Sequence, residues 1–276
     1  TFDDIASKDK GAAATTLDKE RGLTALFAGA STTRGAHSLQ ANVRYDDVSG
    51  YAAQTTGYLG YGYQFTPAWK GIASISSAFN LPPLGYLYDP FSGNPTLQPE
   101  TASSTELGLQ WTQGANIVRA TYFNTKTDNL MPYDFNTYSF GNIAETSNQG
   151  LEVSYSGQVF GANWRASFTA QDPVNKTTGE QLVRRARTMA AVGVNVPWGA
   201  WLFGADVRYT GERPDTVGNP VLPAYAVTNV TARYAINPAL ALTARIDNLF
   251  NRDYQTAWGY NQPGIGAYIG LVWSQK

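Results

Sequence analysis

One histidine, His37, and no cysteine leave this chain few routes to side-chain catalysis. Nucleophilic hydrolysis needs a base held beside a hydroxyl, with a third group to orient the base. His37 instead follows a tight turn in TRGAH, at the opposite end of the chain's strand pattern from its long polar loops. It reads as a surface or interface histidine. The sequence has no Gly-x-Ser-x-Gly elbow, no phosphate-cradling glycine loop and no His/Cys set at metal-ligand spacing. Arg184, Arg185 and Arg187 form a cationic cluster where a loop enters a strand. They could attract an anionic ligand or a lipid head group; a solvated rim balanced by neighbouring acids is the plainer reading.

Binding chemistry is better represented. Residues 80–101 carry Tyr86, Tyr88, Asp89, Phe91 and Asn94 among five prolines, which stiffen a loop by fixing its dihedrals. Aromatic planes with a few amides suit a large, mostly neutral ligand. Packing of the loop on its neighbours competes evenly with that role. Tyr133, Asp134 and Tyr138 at another tip, and Trp258 and Tyr260 near the end, have the same standing.

The elements that must position these groups follow a period of two. In LEVSYSGQV, Leu151, Val153, Tyr155 and Val159 share one face, against Glu152, Ser154, Ser156 and Gln158. In ANWRASFTA, Trp164, Ala166 and Phe168 oppose Asn163, Arg165 and Ser167. Later segments repeat this, with Asp206, Arg208, Arg233, Arg245 and Asp247 on the polar side. Alternation of this length predicts half-buried strands. Thirteen are expected, near 20–32, 37–47, 54–65, 68–79, 102–112, 116–134, 140–158, 161–171, 184–197, 201–212, 225–236, 240–250 and 266–274, with an irregularity within 129–147.

Tight connections such as TRGA, FTPA, FGA, PWGA and INPA alternate with longer ones at 80–101, 171–183, 213–224 and 251–265. Short turns therefore fall at one end of the sheet and long loops at the other, the habit of outer-membrane barrels. Charged residues are only 15%, aromatics 13%, and net charge is −1, which gives no general attraction for nucleic acid. A mean hydropathy of −0.29 would suggest a soluble chain, but alternating strands cancel in any such average. In a barrel the apolar face meets lipid, the mid-strand charges line the lumen, and Trp69, Trp111, Trp198, Trp201 and Trp273 form interfacial girdles. The expectation is an all-β, antiparallel transmembrane barrel. Thirteen strands place the two chain ends on opposite sides, with Thr1 to about Lys19 in a long-loop position. This suggests the C-terminal part of a longer chain, with a miscounted strand as the alternative.

The runs FNLPPLGYLYDPFSGNPTLQPETASSTELGLQW, LVRRARTM and DNLFNRDYQTAWGYNQPG resemble the TonB-dependent outer-membrane receptors over almost the whole chain. GNPTLQPE, the Asn-Leu-Phe-x-x-Asp-Tyr-x-Thr run and Gly-Tyr-x-x-Pro-Gly are most similar to the receptors for cobalamin (vitamin B12). The resemblance implies a 22-stranded barrel with an N-terminal plug, of which residues 1–276 are barrel alone. It implies active import of cobalamin with energy from TonB, no enzymatic activity and no cofactor. The outer loops, with Tyr86, Tyr88, Asp89, Asn94, Tyr133, Asp134, Tyr138, Trp258 and Tyr260, would contact a corrinoid. Glu152, Arg165, Asp206, Arg208, Arg233, Arg245 and Asp247 would form an ion-pair ladder facing the plug. Partners would be outer-membrane lipid and lipopolysaccharide, TonB through the plug, and the ligand. The family's calcium-binding acidic loops would lie mostly upstream. Two readings stay open beside it: a ferric-siderophore or haem receptor of the same family, and a passive porin. The ending WSQK departs from the family's aromatic last residue, shifting the assembly signal to Trp273.

Overall fold

The computed structural model describes residues 2–10, 15–216 and 218–274, with side chains from residue 18 onward. The chain opens with β1 (Phe2–Lys10), β2 (Thr15–Arg34), β3 (His37–Val48), β4 (Gln54–Gln64) and β5 (Trp69–Asn80). A five-residue helix, α1 (Leu84–Tyr88), precedes β6 (Glu100–Gln113) and β7 (Asn116–Leu130). The short β8 (Tyr133–Asp134) and β9 (Ser139–Phe140) form a small hairpin before β10 (Ile143–Val159) and β11 (Ala162–Asn175). β12 (Thr188–Trp198), β13 (Trp201–Thr210), β14 (Tyr225–Asn237) and β15 (Leu240–Asp247) follow. A second small hairpin, β16 (Gln255–Ala257) and β17 (Tyr260–Asn261), leads to β18 (Gly266–Trp273).

Fourteen strands form one antiparallel sheet in chain order, omitting only the two small hairpins. Thirteen of them are those read from the sequence. The addition is β1, which pairs with Thr15–Thr24 of β2. Residues expected to be loop are thus strand in part, and the parity argument loses its premise. The reason lies in composition: FDDIASKDK carries no apolar alternation, the signal by which the other strands are read, and it pairs only with Thr15–Thr24 of β2. The β7–β10 boundary also differs. The irregularity expected within 129–147 is a full break, starting where Asn129 turns left-handed at φ 57° and continuing through the β8–β9 hairpin.

Register fixes which side chains share a face. Tyr155 pairs with Val118 and Ala166, Val153 with Ala120 and Phe168, and Leu151 with Tyr122 and Ala170. This apolar set continues through Val192, Val207, Val230 and Ile246. Its members are large and open: Leu59, Ile75, Leu107 and Leu271 are 46–68% exposed. In water such a surface would be untenable; lipid makes it the stable face. The opposite face carries Glu106, Arg119, Glu152, Arg165, Asp206 and Arg233. Phe65, Trp69, Trp111, Trp198 and Trp201 gather at the short-turn end, as an interfacial girdle does.

The sheet has two free edges among the described residues. β18 pairs on one side only, and β2 from Ala25 to Arg34 has β3 but no strand on its other flank.

Adjacent residues on β11 test the face assignment. Phe168 points outward and Thr169 inward, opposite Glu152. In the intact barrel refolded into lipid, Phe168→Arg should cost about 2–4 kcal/mol of unfolding free energy, and Thr169→Arg about 0–1. Equal costs from denaturant titrations would reverse the faces.

Candidate functional site

The long loops build their own small cores above the sheet. Leu84, Leu87, Leu97 and Met131 form one, joining residues 81–99 to the segment after β7. Tyr86 stacks on Phe140 at 3.6 Å between ring centroids, and Tyr133 meets Phe135 and Phe140 edge-on at 4.9 and 5.1 Å. Asn94 donates from Nδ2 to the Phe140 carbonyl (2.8 Å) and accepts from Thr96. Asn142 accepts from the Gln98 amide and donates to carbonyls of Gln98 and Asn129. Glu100 accepts the Met131 amide at 2.7 Å. These bonds make the 81–99 and 131–142 loops one body.

A second body joins three further loops around Asp215, whose side chain is fully covered. Asp215 accepts from Arg184 Nε (2.5 Å) and from the Trp258 amide (2.8 Å). Burial pushes its carboxyl up, but Arg184 and the amides of Trp258 and Thr216 outweigh that and hold it below the ordinary range. Arg213, buried, donates to the Gln255 carbonyl at 2.7 Å and lies 5.3 Å from the Tyr225 ring centroid. The 176–187, 211–224 and 248–265 loops are therefore tied by two arginines and one aspartate.

Between the two bodies lies a cavity of about 640 Å³. Tyr133, Asp134, Phe135 and Asn136 line one side; Glu180, Gln181, Leu182, Arg185 and Thr216 line the other. The wall is aromatic and amide-rich, with few charges. That composition fits a large ligand with an apolar rim and hydrogen-bonding periphery.

The residues singled out by sequence separate into three groups. Tyr133 and Asp134 line the cavity. Tyr86, Asp89 and Asn94 hold the loop together instead: Asp89 accepts the Ser92 hydroxyl and the Ser92 and Phe91 amides, which lower its pKa. Asp134 is lowered likewise, first by the Asn136 amide. Tyr88 is exposed and packs under the Lys19 ammonium. Tyr138, Trp258 and Tyr260 are also exposed, away from the cavity lining. Of the three arginines, Arg184 pairs with Asp215, Arg187 pairs with Asp172 at 3.0 Å, and Arg185 reaches the cavity. Gln181, Leu182 and Asp215 were missed, since neither periodicity nor spacing marks a loop residue that meets another loop.

Two of the lumen arginines pair with acids of the expected set, each on its own strand. Arg208 meets Asp206 at 3.7 Å and Arg245 meets Asp247 at 3.1 Å, each two residues apart on one strand. Arg44 and the buried Asp46 repeat the pattern on β3 at 2.7 Å. Arg245 also covers the Tyr268 ring at 4.5 Å. Glu152, Arg165 and Arg233 form no ion pair among the described residues. The described residues include no group of three or more His, Cys, Asp or Glu side chains able to hold a metal.

The chain is 32% identical over 272 residues to the vitamin B12 transporter BtuB of Vibrio cholerae serotype O1, covering 93% of this chain and 43% of that one. It is 28% identical to the vitamin B12 transporter BtuB of Vibrio vulnificus over 98% of this chain and 44% of that one. The chain thus spans less than half the length of these curated relatives. Among solved structures, the ferric enterobactin receptor PfeA of Pseudomonas aeruginosa superposes with a TM-score of 0.77 at 20% identity, over 93% of this chain and 45% of that one. The copper transporter OprC gives 0.80 at 17%, over 92% and 48%. Such identities speak for the fold alone. The family model "TonB dependent receptor-like, beta-barrel" matches residues 3–249. With its lipid-facing alternation, polar lumen and loop-crowned outer rim, the chain belongs to the TonB-dependent receptor β-barrels of the bacterial outer membrane, a family of transporters and receptors.

Proposed function

We propose that this chain is the C-terminal barrel portion of an active-transport receptor that imports cobalamin with energy from TonB. Its wall spans the membrane, and its outer loops form part of the ligand mouth. It performs no chemistry on the ligand. One observation carries the choice of ligand: the likeness to vitamin B12 transporters runs at 32% identity through nearly the whole chain, loops included. The cavity between the loop bodies supports it, because Tyr133, Phe135, Asn136 and Gln181 offer faces and amides to a neutral corrinoid. TonB would act through a plug domain, for which the charges on the lumen face provide a polar seat.

A second reading in the same family, a ferric chelate such as a siderophore or haem, is favoured by one feature: Arg185 on the cavity wall, a cation suited to an anionic ligand. Equilibrium binding to the full-length receptor separates the two. Cyanocobalamin should bind, and Tyr133→Ala or Gln181→Ala should weaken it about fivefold or more. Absence of cyanocobalamin binding together with uptake of a ferric chelate overturns the cobalamin reading.

The Asp215 clamp gives a pH dependence. A carboxyl whose folded-state pKa is lowered contributes stability above the ordinary aspartate value of about 3.9. That contribution is lost as pH falls below this value and through the depressed one. Protection of the 211–224 and 248–265 loops, taken relative to the intrinsic exchange rate at each pH, should therefore fall below about pH 4 while the β10–β13 ladder stays protected. Asp215→Asn should raise loop exchange at neutral pH by about 1–3 kcal/mol of opening free energy, reduced toward the low end by the exposure of Arg184. Exchange that is unchanged in the variant would refute the clamp.

A further inference from the structure

His37 has no part in the outer mouth, and it lies in a groove. It opens β3 at the short-turn rim, paired with Arg34 on β2 and Tyr63 on β4. Direct antiparallel partners share a face, so all three stand on the lipid-facing side. His37 Nδ1 and the Tyr61 hydroxyl are 2.6 Å apart, and the His37 and Tyr63 rings are centred 5.0 Å apart. Phe65 meets Tyr63 edge-on at 5.1 Å. Beyond this aromatic wall the sheet carries small residues, Gly71 and Ala73 on β5, and, across Leu109 of β6, Ala120 on β7. The Phe65 ring lies on Gly71, where an added Cβ would come within 2.7 Å of it. Leu107, Leu109 and Tyr122 form the far wall. The groove measures about 840 Å³, and its surface is mostly hydrocarbon.

We propose that this groove holds one acyl chain of a phospholipid from the periplasmic leaflet, with the phosphate against Arg34 and the His37–Tyr61 pair. The occupant follows from location and charge. The wall is an outer-membrane one, so whatever fills an apolar groove on this face is lipid. The polar end lies beside the 35–36 and 65–68 turns, at the level of the inner head groups and away from the long loops. Arg34 supplies a cation on the outward face of that rim, suited to a phosphodiester oxygen. With the Tyr61 hydroxyl donating to Nδ1, the imidazole proton sits on Nε2, a second donor for the phosphate. Small residues along the floor let the chain lie close against the sheet between larger side chains, and each methylene so covered strengthens partitioning from water. Against competing bilayer lipid only the better contact and the head-group bonds count. The site therefore selects a head group more than a tail.

The test is native mass spectrometry of the delipidated full-length receptor, titrated with dioleoylphosphatidylglycerol. One adduct should saturate before any other. Ala73→Trp, or the milder Ala120→Phe, should lower its apparent affinity about tenfold; Arg34→Ala should lower it about fivefold, and Arg34→Lys should restore most of the loss. Dioleoylglycerol, which lacks the phosphate, should not distinguish Arg34→Ala from the parent. Heat-dependent gel migration confirms that each variant is folded. Cyanocobalamin binding by the same variants should be unchanged, so failure here and failure of the cobalamin reading are separable. Equal phosphatidylglycerol retention by the parent and by both groove-filling variants overturns the site, and so does displacement of the adduct by lipid A regardless of residue 34.

Discussion

Hydrocarbon offers no hydrogen-bond partner, so each backbone N–H and C=O at membrane depth must find one within the sheet. Most features of this chain follow from that constraint. The ladders run without interruption through the band of outward apolar residues, and irregular backbone appears only above or below it. Asn129 turns left-handed at the end of β7, and Phe160 and Gly161 do so in the short turn between β10 and β11. The same constraint makes the free flanks of Ala25–Arg34 and Gly266–Trp273 incompatible with lipid contact. In a membrane both flanks must find backbone partners, and the relatives are more than twice this chain's length.

Because the ladder holds the wall, the outer loops must hold themselves. They do so with buried anchors that need no ladder. Leu97 and Leu222 are among the most buried side chains, and both lie in loops. Asp215 and Arg213 add charged ties, each satisfied by several partners, which offsets the cost of burying them. The loop collar is thus two stiff bodies with a cavity between them.

The wall was legible in the sequence because one physical variable, the side on which each residue faces lipid, repeats every second position. Twelve-residue stretches such as His37–Val48 carry that signal many times over. β1 was not legible, since Phe2–Lys10 carries no apolar alternation in its sequence and is marked only by its pairing with Thr15–Thr24. The end of β15 was overrun for another reason. Arg245 and Asp247 on one parity, with Ile246 and Phe250 on the other, suggest continued alternation, but Asn248 adopts φ 50° and leaves the ladder. For the site, residue type pointed to Tyr133 and Asp134. It could not tell them from Asp89 and Asn94, whose side chains are spent on their own turns. The mid-strand charges share one face of the sheet, and two of the expected pairings are present, Arg208 with Asp206 and Arg245 with Asp247, each within a single strand.

The segments that carry the family resemblance are anchors of this kind. In GNPTLQPE, Asn94 ties two loops, Leu97 fills their core and Glu100 receives the Met131 amide. In DNLFN, Asn248 and Asn251 both take left-handed backbone, at φ 50° and 49°, and both side chains grip the loop base. Asn248 bonds the Arg252 and Pro263 carbonyls, and Asn251 accepts the Ile265 amide. Left-handed geometry favours asparagine among side-chain-bearing residues, and its amide can donate and accept at once. These motifs therefore report how the loops are fastened to a barrel of this design, whatever it carries. That is consistent with a fold shared with receptors named for ferric enterobactin and copper at 17–20% identity. On the cavity wall between the fastenings, Tyr133, Gln181 and Arg185 stand outside both motifs.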